Sequence, residues 1–207
     1  MEIQRMFDNL LCSINWEEAA QHSYRNFHAA GLHYLNLLRT PRLTVKLYTF
    51  ENVKHNSHGY LVWPHNHAYN FCHRTLAGVI TNHNFDLAPE GHGGVNWDLY
   101  QFETPLNGGD GLTKLLPCGL TELQSQELAV GQSYYLDREQ IHTLSINTPE
   151  YAAALLLQFH DIKKVTAMFA PQDEDPNCDS GLYYRLQAWQ GRQLVERFDE
   201  ETKGCVA

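Results

Sequence analysis

Short apolar and aromatic runs, separated by Gly, Pro, Asn and Asp, dominate the chain from Pro41 onward. They are RLTVKLYTF (42–50), GYLVWPHNHAYNF (59–71), RTLAGVITNHNF (74–85), VNWDLYQFET (95–104), QSYYLD (132–137), IHTLSIN (141–147), YAAALLLQFHDI (151–162) and KVTAMFA (164–170). Such spacing without helical periodicity between the runs predicts roughly eight to ten short strands in a sandwich or barrel. The first forty residues read differently. Ser13 or Asn15 is placed to cap a helix with Glu17 and Glu18 in its first turn, and AAQHSYRNFHAAGLHYLNLLRT (19–40) continues it. The expected organisation is a helical segment over 1–40 packed on a β-barrel domain over 41–207. After Pro171 the tail begins as an acidic loop, and LYYRLQAWQGRQLVERFDEE (182–201) suits a strand or a short helix. The glycine-rich stretches APEGHGGVN (88–96) and NGGDGL (107–112) lack the phosphate-cradle pattern ahead of a helix and read as loops.

With 207 residues, 43% of them hydrophobic and 12% aromatic, the chain is long and apolar enough to bury one sizeable core. A net charge of −9 without a basic run argues against nucleic acid or an anionic membrane as a partner. It leaves room for a small anionic substrate, since a local cation overrides a global charge. No apolar run reaches the roughly 18 residues that a transmembrane helix needs. The five cysteines, Cys12, Cys72, Cys118, Cys178 and Cys205, are scattered and have no CxxC spacing. They suit a reducing compartment better than a disulfide scaffold or a zinc ribbon. The start MEIQRMFDNLLC has no signal-peptide character, and a cytoplasmic location is the expectation.

One stretch does not fit a purely structural strand. WPHNHAYNFCHRTLAG (63–78) places three histidines among Trp63, Tyr69, Phe71 and Leu76. On a strand His65 and His67 share a face, and Tyr69, Phe71 and His73 continue that face if the strand runs unbroken. An H-x-H pair presents two imidazoles to one ion, each nitrogen about 2.0–2.2 Å away. Alone the pair is a weak signal, because a histidine-rich chain produces such pairs by chance. A second stretch, GQSYYLDREQIHTLSIN (131–147), has a glycine entering a strand, a polar turn at Asp137, Arg138 and Glu139, and His142 opening the next strand.

Over residues 41–170 these two stretches resemble the cupin superfamily. Gly59, His65, His67, Phe71 and Gly78 fall on the frame of its first motif, and Gly131 and His142 on that of its second. The resemblance implies an all-β fold, a double-stranded β-helix or jelly-roll barrel with N-terminal α-helices outside it, and a metal held by His65, His67 and His142. The family's proline and glycine before the second-motif histidine are replaced here by Asp137 and Glu139, and its carboxylate ligand by Phe71. Three histidines without a carboxylate look like the three-histidine non-haem iron dioxygenases, distantly the thiol dioxygenases related to cysteine dioxygenase. The match to cysteine dioxygenase itself is poor. Cys72 is one residue out of register with that family's cysteine, and Leu155, Leu157 and Phe159 stand where it has serine, histidine and tyrosine. Cys72 therefore reads as a buried structural thiol.

The expected function is a mononuclear Fe2+ dioxygenase that oxidises a small chelating anionic substrate with O2. Zinc, manganese, nickel or copper fit the same ligands. A metal-dependent isomerase or lyase, and a non-catalytic small-ligand-binding module, are the alternatives. Tyr69 is either a hydrogen-bond donor beside the metal or an aromatic filling the barrel. His73 is either a fourth ligand or proton shuttle, or a histidine satisfied by a neighbour. Lys46 and Arg42 lie on or beside the first strand, where either would pair with a substrate carboxylate; for Arg42 a solvated edge is the safer expectation. Gln158 and His160 are candidates for outer support of a ligand. Trp63 reads as core, His58 as a loop residue, Arg138 as exposed, and His22, His28 and His33 as ordinary helix positions. The resemblance also allows a homodimer.

Overall fold

The computed structural model describes residues 2–91, 95–103, 111–148, 150–174, 176 and 184–202. Its helices are α1 (Glu2–Cys12), α2 (Trp16–Ala20) and α3 (Ala188–Thr202). The strands are β1 (Tyr24–Arg25), β2 (Leu32–Arg39), β3 (Leu43–Glu51), β4 (Phe71–Ala77), β5 (Ile80–Ala88), β6 (Trp97–Glu103), β7 (Gly111–Leu128), β8 (Ser133–Leu136), β9 (Ile141–Ile146), β10 (Tyr151–Phe159), β11 (Thr166–Pro171) and β12 (Tyr184–Arg185). They form a seven-stranded sheet in the order β12-β1-β2-β3-β10-β4-β8 and a five-stranded sheet in the order β11-β6-β7-β5-β9. Every paired strand is antiparallel. The chain passes from one sheet to the other between β4 and β5, returns between β7 and β8, and then alternates between the sheets with every strand from β8 to β12. This is an all-β jelly roll with a few helices, as the pattern of runs predicts. Among the described residues no helix is long and apolar enough to cross a membrane. The segments 92–94, 104–110, 177–183 and 203–207 lie outside the described residues, and with them most of both glycine-rich stretches, Cys178 and Cys205.

The N-terminal expectation needs correction. Helix stops at Ala20, where Asn15 caps α2 through the Glu18 N–H, and LHYLNLLR (32–39) is the strand β2, paired along its length with β3. Both faces of β2 are buried. Leu35 and Leu37 pack outward with Phe7, Ala19 and Phe198 from the helices, while Leu32 turns to the cluster around Phe50 between the sheets. A strand covered on both sides loses its polar alternation and reads as a continuous apolar run, which periodicity cannot tell from a buried helix. The ambiguous tail resolves the other way: α3 lays Phe198 edge-on against Phe7 of α1, with ring centroids 5.5 Å apart.

The 63–78 stretch is not one unbroken strand. β4 begins at Phe71, and residue 65 instead forms isolated bridges to both His142 of β9 and Met168 of β11, the two edges of the five-stranded sheet. Gly78 makes the corner into β5 at φ +70°, where a Cβ would run into Thr148 and the backbone of Tyr151. Only glycine takes that position without strain. Trp63 is 9% exposed and packs with Trp97, Phe85 and Phe169, as expected of a core residue.

Candidate metal centre

His65 and His142 exchange both backbone hydrogen bonds at 2.9 Å, one N–H to the other's carbonyl in each direction. Residues paired in this way project their side chains to the same side of the ladder, and the two imidazole centroids lie 5.2 Å apart. His67 donates its backbone N–H to the Arg138 carbonyl at 3.2 Å, so the turn before β9 holds the second histidine of the H-x-H pair. Its ring stands 4.7 Å from that of His65 and 5.0 Å from that of His142. One ring nitrogen from each of the three residues lies within 4.8 Å of the other two. The structure thus brings together all three residues that the two stretches nominate.

Outer hydrogen bonds set which nitrogen faces inward. His65 Nδ1 is 2.8 Å from the Trp63 carbonyl. A carbonyl only accepts, so Nδ1 carries the proton and Nε2 keeps its lone pair. His142 Nδ1 is 2.7 Å from Asn82 Oδ1, and Asn82 Nδ2 in turn donates to Asn84 Oδ1 at 2.9 Å. The Asn82 amide is thereby oriented to accept, and His142 also presents a bare Nε2. His67 Nε2 lies 2.8 Å from His142 Nε2. Two nitrogens each about 2.1 Å from one ion at a right angle would be about 3 Å apart, so this pair already has the spacing of two ligands of one ion.

Electrostatics keep these rings neutral. Burial pushes the His67 and His142 pKa values well below the ordinary range, and neighbouring histidines push them further; for His67, His28 and Lys46 add to the effect. Burial lowers His65 as well, partly opposed by its bond to the Trp63 carbonyl. Neutral imidazole is the ligand form. Phe71 stands where a carboxylate would complete the set. It is 2% exposed, its ring 4.9 Å from His67 and 5.7 Å from His142. Among the described residues the metal-competent group is those three histidines, without a carboxylate.

The remaining candidates separate clearly. Tyr69 lies beside the group, its ring 5.2 Å from that of His67, with its hydroxyl pKa raised by burial and by Asp161. His73 is not among the three residues whose ring nitrogens converge. It is 3% exposed against Tyr134, and neither ring nitrogen has a partner among the described residues. The neighbour expected to satisfy it is therefore also missing. Burial presses its pKa down to about 3. Cys72 alternates with Phe71 and His73 and points away from them, half-buried rather than fully buried. On β10 the late-strand parity is shifted. Leu155 and Leu157 turn outward to the helices, and Leu156 faces Phe71 inside. Gln158 reaches Asp161 rather than a ligand, and His160 is exposed. Arg138 pairs with Glu139, Arg42 is exposed, and exposed His58 packs on Trp63 and Trp97. His33 accepts the Asn26 N–H in the turn before β2.

Two residues escaped the expectations. Asn82 carries no motif, and its only sign in the sequence is an amide in a run otherwise fit for a strand. His28 belongs to the turn 26–31, with a left-handed φ of 67°, and is exposed there rather than helical. Replacing Asn82 by leucine is expected to lower metal affinity about 10–100-fold while leaving all three ligands in place; competition with a chelator reads this directly.

No protein-family model matches the chain, and no curated protein does. Among solved structures the chain is similar to the hydroxypropylphosphonic acid epoxidase from S. wedmorenis, at 14% identity over 66% of this chain and 54% of that one, with a TM-score of 0.38. It is also similar to the polyketide cyclase RemF from Streptomyces resistomycificus, at 11% identity over 82% and 90% of the two chains, TM-score 0.41. A third is an RmlC-like cupin from Shewanella frigidimarina NCIMB 400, at 11% identity over 64% and 79%, TM-score 0.35. The matched region spans about half the length of the epoxidase.

Proposed function

We propose that this protein is a metal-dependent enzyme, a mononuclear non-haem iron dioxygenase that oxidises a small chelating anionic substrate with O2. The observation that carries the proposal is the convergence of three neutral imidazoles, one ring nitrogen of each within 4.8 Å of the other two, with no carboxylate joining them among the described residues. Iron(II) bound there supplies open coordination positions and redox chemistry toward dioxygen. The chain supplies position and electrostatics. His65, His67 and His142 hold the ion, while the Trp63 carbonyl and Asn82 fix two of the rings. Because the three ligands are neutral, they leave a divalent charge uncompensated, which favours an anionic chelator. Phe71 walls the centre on the side of His67 and His142. Tyr69, kept protonated by burial, offers a hydrogen-bond donor next to His67.

The test is elemental analysis of protein purified without chelators, followed by oxygen-electrode measurements with small hydroxy-, keto- and mercapto-carboxylates. About one iron per chain, with oxygen uptake that depends on one of these compounds, is the expected result. Zinc or nickel without oxygen use would replace this reading by Lewis-acid chemistry, and a metal-free protein would replace it by ligand binding alone.

A further inference from the structure

Among the described residues Lys46 is a buried cation without a counterion in ion-pair reach. Its residue is 9% exposed, on the inner face of β3 between Asn36 of β2 and Leu156 of β10. Its ammonium sits 4.5 Å from the Tyr34 ring centroid and 5.8 Å from that of Tyr69. Among the described residues no carboxylate forms an ion pair with it. Asp161 acts on it only from a distance, and burial together with Arg39 lowers its pKa to about 8. Lysine is almost never buried unless paired, because an ammonium out of water needs compensating charge.

The same lysine belongs to the metal centre's surroundings. Tyr69 lies near both, its ring centroid 5.2 Å from that of His67 and 5.8 Å from the Lys46 ammonium. Lys46 is felt electrostatically by His67 and by His28, and His28 also feels His65. A divalent ion on three neutral imidazoles and one ammonium together make three positive charges, in a chain whose net charge is −9. A single anionic group at the metal would leave the lysine uncompensated.

We infer that the substrate is a short dianion held at two points, one anionic arm on the three-imidazole centre and the other on Lys46, with Tyr34 and Tyr69 as its walls. The inference rests on the metal reading above and adds to it the class of substrate and the residue that selects it.

The experiment uses the full chain loaded with zinc, which binds without turnover, and titrates malonate, succinate and acetate by calorimetry. The wild type is expected to bind one of the dicarboxylates at least about tenfold tighter than acetate. In both Lys46→Gln and Lys46→Met that preference should fall below about twofold with zinc stoichiometry unchanged, while Lys46→Arg keeps part of it. Dicarboxylate binding as tight in folded, zinc-loaded Lys46→Gln as in the wild type overturns the inference. If the wild type takes up no zinc, the metal reading falls instead. The metal-free protein then decides about the lysine: Lys46-dependent malonate binding supports an anion anchor, and its absence overturns it.

Discussion

A His142→Ala protein is expected to lose stoichiometric metal and, with it, any oxygen-dependent turnover. Each of the three imidazoles supplies one donor, and in the folded chain His67 Nε2 and His142 Nε2 already stand 2.8 Å apart. Removing His142 leaves two donors and also orphans Asn82, which had fixed the ring. Loss of an outer partner alone costs about 10–100-fold in affinity, so loss of the ligand should exceed about 100-fold. The backbone bridge between residues 65 and 142 uses only main-chain groups, so the fold around the site is expected to persist. His73→Leu is the matched control. It removes a buried histidine outside the group of three and should keep full metal content. Elemental analysis and chelator competition on the two variants measure the contrast. Full metal in His142→Ala would refute the ligand set.

Acidification is expected to destabilise the metal-free protein steeply below pH 6.5. In the unfolded chain histidines take up protons near that pH, whereas the folded protein holds His73 down at about 3 and His142 well below its ordinary range. Between those limits the unfolded state binds more protons, so unfolding free energy falls as pH falls. Each such group contributes about 1.4 kcal/mol per pH unit. His73 and His142 are each 3% exposed, and together they give a slope of about 2.7 kcal/mol per pH unit. His73→Leu should remove its own share, about 1.4 kcal/mol per pH unit. It should also raise stability near neutrality, since the wild-type ring buries two nitrogens without partners among the described residues. Urea titrations from pH 7 to pH 5 on both proteins decide the matter. A flat profile for the wild type would show that these rings protonate freely in the folded state.

How far the sequence reaches is clearest from particular residues. The shared face of Phe71 and His73 on a strand was legible, and β4 buries both, but the division of the runs between Phe71 and Arg74 falls in the wrong place, inside that strand. The positions of His65, His67 and His142 were legible through the resemblance, whose two motif frames they occupy, and Gly78 as the closing glycine of the first frame. Lys46 was legible as a basic residue on the first strand but not as a buried one. Asn82 and His28 were not legible at all. An amide inside a strand and a histidine in a turn acquire meaning only from what is packed against them.

The sequence by itself determined the β-rich class, since runs and turn residues depend on neighbours along the chain, and through two motif frames it nominated the metal-competent histidines. Tertiary structure alone decided that Leu32–Arg39 is a strand, because helices on one face and sheet on the other erase the alternation that would have marked it. It alone decided how His67 meets His142, 75 residues away in the chain. The strand that would have joined the H-x-H pair to β4 breaks before Phe71, and the rings meet through bridges to β9 and β11. Those pairings between distant segments have no local sequence code; they are set by which edges the closed fold leaves open.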